Sequence, residues 1–106
     1  MTKVSIEFKG KHLAGLTIKG HAGSGAYGHD LVCAAVSAVT FGALNAIDDI
    51  DSTFEYEIDQ ESGYVKLTPI ADISDHDQVV LETLILQLKT IEASYPEAIE
   101  IKERKN

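Results

Sequence analysis

Cys33 is the one cysteine of the sequence, and it stands in a run dense with groups that can serve a thiol: Gly20-His21-Ala22-Gly23-Ser24-Gly25-Ala26-Tyr27-Gly28-His29-Asp30-Leu31-Val32-Cys33-Ala34-Ala35-Val36-Ser37. A histidine closes a strand-like segment. A glycine-rich stretch follows, and the cysteine then opens a helix-like segment. Unpaired backbone N–H groups at a helix start favour the thiolate. The thiolate is the attacking form, and a nearby imidazole can carry protons for it. The stretch from 20 to 28 holds Gly20, Gly23, Gly25 and Gly28 and no bulky aliphatic side chain. It reads as a mobile loop that can fold His21 back toward Cys33. The other reading of a lone cysteine beside Ala and Val is a small buried hydrophobe.

The elements that position these groups follow from pattern. Val4, Ile6 and Phe8 alternate with Ser5, Glu7 and Lys9, which predicts a half-buried strand. Gly10-Lys11 is a turn, and Leu13 to Lys19 returns as the second arm of a hairpin. Asp30 is placed as N-cap of a helix running from Leu31 to Ile47, which puts Cys33 in the first turn. Ser37, four residues on, shares its face. Thr53 to Asp59 and Tyr64 to Thr68 read as a second hairpin, ended by Pro69. Ser74 and Asp77 have capping-box spacing ahead of a helix to about Tyr95, stopped by Pro96. Ala98 to Lys102 adds a short edge strand, and the residues after it read as a solvated tail. The order β-β-α-β-β-α, with that short C-terminal strand, predicts an α+β two-layer sandwich on a largely antiparallel sheet.

The helix from Leu31 to Ile47 contains no charged residue. It is too short for a membrane span, it holds Ser37, Thr40, Gly42 and Asn45, and it lacks basic flanks. It therefore reads as a helix buried on nearly all sides, by the sheet, the second helix and a second subunit. At 106 residues and 44% hydrophobic content the chain is a single domain, residues 1–106, with a real core. The formal charge of −8 argues against a direct grip on nucleic acid and is compatible with a basic peptide partner. The opening residues read as a strand and not as a secretory signal, so a cytoplasmic, reducing setting is expected.

His21 is favoured as the thiol's partner because the glycine loop gives it reach. His29 adjoins the cap, and His12 and His76 read as surface residues. The string Gly20-His21-Ala22-Gly23, followed by Tyr27-Gly28-His29-Asp30-Leu31-Val32-Cys33-Ala34-Ala35-Val36-Ser37-Ala38, resembles the signature of the ribosomal-processing cysteine protease family called Prp. Phe41-Gly42-Ala43-Leu44-Asn45-Ala46 and Thr90-Ile91-Glu92 are similar too. The resemblance spans most of the chain. It implies a cytoplasmic, homodimeric endopeptidase that removes an N-terminal extension from large-subunit ribosomal protein number twenty-seven, after a hydrophobic aromatic motif. It places the nucleophile at Cys33 and the histidine at His21, with Asp30 and Ser37 in support. On this reading Gly23, Gly25, Tyr27 and Gly28 form a flexible substrate loop. The implied mechanism is acyl transfer through a thioester, and no cofactor is needed. Asp30 either orients His21 or caps the helix.

Two rival classes remain. A non-enzymatic ribosome-assembly module would use the motif only to shape a dimer core, and its thiol would be inert to iodoacetamide. A redox protein would lack a second cysteine to resolve an oxidised first one. A zinc site is disfavoured because one Cys and one His are too few ligands.

Overall fold

Alternation of apolar residues at the start of the chain builds a hairpin at the centre of the sheet. In the computed structural model, which describes residues 1–20 and 31–106 in full and the backbone alone of 29 and 30, β1 (Thr2–Lys9) pairs antiparallel with β2 (His12–Lys19). Thr2, Val4 and Ile6 are buried on one face, and Lys3, Ser5 and Glu7 are exposed on the other. The register shifts between Glu7 and Phe8, which pair with Gly15 and Leu13. One extra residue on β2, Ala14, therefore bulges. This is why Leu13 and Leu16 are both buried although they are three apart.

After β2 come α1 (His29–Ala46), a single helical turn α2 (Ile50–Thr53), β3 (Phe54–Asp59), β4 (Tyr64–Pro69), α3 (Asp75–Ser94) and β5 (Ile99–Lys105). The strand order is β3-β4-β2-β1-β5. Three neighbouring pairs are antiparallel, while β5 lies parallel to β1, so the sheet is mixed. The α+β two-layer expectation holds, with helices on one face of the sheet. The last strand is longer than expected. Its end is exposed but paired and not a free tail: the Asn106 N–H donates to the Phe8 carbonyl at 3.0 Å, and the Asn106 carbonyl accepts from the Gly10 N–H at 3.2 Å.

The core joins Val4, Ile6, Leu16, Ile18, Val65 and Leu67 of the sheet to Val32 and Val36 of α1 and Leu81, Leu84 and Leu88 of α3. Ser74 caps α3, its hydroxyl accepting from Asp77 N–H at 3.1 Å. A single chain covers α1 only in part. Within the chain, one side is buried through Val32, Val36, Thr40 and Leu44, while Leu31, Ala34, Ala38, Gly42 and Ala46 stay exposed. An uncharged helix in a two-layer domain has sheet below it and one helix beside it, and these leave its outer side open. Among the described residues, no helix is long and apolar enough to cross a membrane.

Candidate active site

Cys33 and Ser37 come together as their spacing requires. Both line a small cleft with Val36 of α1 and with Thr2, Gly20 and Gly63 from three strand ends. Cys33 is half-buried and Ser37 exposed. The cleft sits where the start of β1, the end of β2 and the β3–β4 turn meet beneath α1. Thr2 is the anchor of this corner. It is buried, its N–H donates to the Ala98 carbonyl at 2.9 Å, and its hydroxyl donates to the Gly20 carbonyl at 3.3 Å. Gly20 has φ +93°, and a side chain there would overlap the Met1 carbonyl oxygen, so only glycine fits. Its conformation delivers the chain from β2 into the segment that carries His21.

Sequence reasoning named Gly20 in the run that serves the thiol but missed Thr2 and Gly63 as residues lining the cleft. Their contribution is tertiary, and the only sequence signal was the glycine of the β3–β4 turn. His21, Gly23, Gly25, Tyr27 and Gly28 lie outside the described residues, as do the side chains of His29 and Asp30. The start of α1 differs from expectation. Its backbone is helical from His29, so Asp30 is inside the first turn and not ahead of it. Cys33 is thus the fifth helical residue, beyond the N–H groups that a helix leaves unpaired at its start. Helical Cα–Cβ bonds tilt toward the N-terminus, so the Cys33 side chain still leans to the positive end of the dipole.

A second polar cluster lies where α1 ends and α3 begins. The Asp77 carboxylate, buried, accepts from Asp48 N–H at 3.1 Å and meets His76 Nδ1 at 2.8 Å. Asp48 Oδ2 is 3.3 Å from the same nitrogen. The hydrogen bond to Asp77, and then the charge of Asp48, raise the His76 pKa above the usual imidazole value. His76 is thus a surface residue, as expected, but one that fastens two elements.

A family model described as cysteine protease Prp matches residues 1–100. This chain belongs to the Prp family of cysteine proteases. It is a cysteine peptidase by that membership. The ribosomal processing cysteine protease Prp of Staphylococcus aureus is 35% identical over 99 residues, covering 92% of each chain. The structure of the S. aureus Prp in complex with a substrate peptide superposes with a TM-score of 0.84 at 33% identity, covering 98% of this chain and 100% of that one. A second S. aureus Prp structure, with a covalently linked product peptide, gives a TM-score of 0.83 at 34% identity over the same shares. The Prp fold described above is therefore shared over nearly the whole chain.

Proposed function

We propose that this Prp-family protein is the endopeptidase that removes the N-terminal extension of large-subunit ribosomal protein number twenty-seven during ribosome assembly. The observation that carries this reading is the match, across 98% of the chain, to a relative whose structure holds a covalently linked product peptide. Covalent attachment of a product is what nucleophilic catalysis by a cysteine leaves behind.

Cys33 is the nucleophile. Its thiolate attacks the scissile carbonyl, the C–N bond breaks, and His21 gives the proton to the leaving amine. Water then attacks the thioester with His21 as base, which releases the acid and restores the thiol. Donors near the start of α1 stabilise the oxyanion. Ser37 stands beside the thiol in the same cleft, and Asp30 supports the site from the first turn. Gly23, Gly25, Tyr27 and Gly28 form the substrate loop. The partner is a basic ribosomal precursor, for which a chain of charge −8 is electrostatically suited. The setting is cytoplasmic and no direct nucleic-acid contact is used. The active form is a homodimer, which covers the outer side of α1.

The test is to incubate the purified protein with the extended ribosomal protein and follow the product by mass spectrometry. Cleavage by the wild type and none by Cys33→Ala is the expected pair of results. Equal cleavage by both would overturn the assignment.

A further inference from the structure

Sheet order leaves β3 as one open edge, and its two faces differ in character. Glu55, Glu57 and Asp59 alternate with Phe54, Tyr56 and Ile58. Tyr56 pairs with Leu67 and Ile58 with Val65, and cross-strand partners share a face. Leu67 and Val65 are buried on the side that carries the helices. Tyr56 and Ile58 therefore sit on that side too, yet they are 43% and 38% exposed, whereas Phe54 at the start of the same strand is buried. Acidic residues on an edge strand are an ordinary guard against aggregation. Guarding does not explain two exposed apolar side chains on the other face of the same strand.

The turn that follows this strip reaches the cleft of the cysteine. Cys33 and Ser37 share their cleft with Gly63 of the β3–β4 turn. The opposite flank of α1, with Ala38, Gly42 and Ala46, borders an open groove whose other wall is Val79 and Thr83 of α3, all of them exposed. The thiol flank of the helix thus looks toward the β3–β4 hairpin. The other sheet edge is unsuitable, since α3 packs over β5 and that strand carries Lys102, Arg104 and Lys105.

We propose that the open edge of β3 is the specificity surface of the enzyme, where the substrate lies as an added strand with apolar side chains on Tyr56 and Ile58 and basic ones beside Glu55 and Glu57. Unpaired N–H and C=O groups of the edge supply the main-chain pairing. Alternation of the strand then sets the recognised chemistry: large apolar residues at i and i+2, with Lys or Arg at i+1 and i+3. Tyr56 is held for this role by its hydroxyl, which donates to Asp51 Oδ1 at 2.7 Å. Lys66, opposite Glu57, is the one cation of the two hairpin strands and leaves the face net acidic.

The inference deepens the peptidase reading and rests on it. The experiment uses full-length Cys33→Ala protein and a fluorescent synthetic decapeptide in which Phe and Lys alternate, with affinity read by anisotropy. Adding Tyr56→Ala and Ile58→Ser should weaken binding at least tenfold. N-methylation of alternate peptide backbone nitrogens should do the same, while Leu86→Ser, an exposed apolar residue on α3, should leave binding unchanged. Unchanged affinity in the β3 double variant, indifference to N-methylation, or no measurable binding would each overturn the proposal. Failure of the wild type to cleave the ribosomal precursor would instead strike the peptidase reading, because the binding measurement needs no turnover.

Discussion

The Thr2 hydroxyl donates to the Gly20 carbonyl at 3.3 Å, tying the first residue of β1 to the residue that immediately precedes His21. Gly20 can take this place only because its φ of +93° brings it against the Met1 carbonyl, where no Cβ fits. Gly20→Ala should therefore destabilise the fold by about 1–3 kcal/mol, and misplacement of the following segment should cost up to about 10²-fold in activity. Gly10→Ala is the control. Its φ is +62° but nothing lies within 4 Å of a Cβ there, so it should be milder and leave activity alone. Denaturant melts and cleavage rates of the two variants provide the comparison.

The contact of His76 with Asp77 and Asp48 gives a pH dependence of defined sign. The histidine is held above its usual value of 6.5, so its favourable contribution is fully present below about that pH and is lost as pH rises through the folded value. The groups facing it are Asp48, beyond the end of α1, and Asp77 of its own helix. The difference in Tm between the wild type and His76→Gln should be larger near about pH 5.5 than near about pH 8.5. A difference that is constant with pH, or that grows at alkaline pH, would contradict this account of the clamp.

Local patterns made the two hairpins, the two long helices and the Ser74 cap legible in advance. Period-two alternation at Val4 and Ile6 and the hydroxyl three residues before Asp77 act within a few residues of themselves. The parallel pairing of β5 with β1 was not legible, because it depends on where α3 returns the chain. The role of Asp77 was hidden for the same reason. Its spacing signals a cap, but its carboxylate serves Asp48, 29 residues away. At the site, Cys33 and Ser37 were legible as one helix face, whereas Thr2 and Gly63 join them only through the sheet.

The histidine assignment separates by substitution. His21→Ala should lower turnover by about 10²–10⁴-fold, the usual contribution of positioned proton transfer. His29→Ala should have the smaller effect. A reversal of that order, in steady-state cleavage of the ribosomal precursor, would move the proton-transfer role to His29.

The homodimer has its own test on the outer side of α1. Ala38 is exposed in the single chain, so Ala38→Glu should change monomer stability by no more than about 0.5 kcal/mol. If a second copy covers this side, the same substitution should convert a dimer to a monomer in sedimentation at micromolar concentration. A wild type that sediments as a fully active monomer would remove the dimer from the account.

The central claim is that Cys33 carries the acyl group. Acid quenching during turnover of the extended ribosomal protein, followed by peptide mapping of the enzyme by mass spectrometry, reads this directly. The account predicts a thioester on Cys33 whose added mass equals the released N-terminal extension less water. Continued cleavage with Cys33 unmodified at every time point, together with wild-type rates for Cys33→Ala, would contradict it.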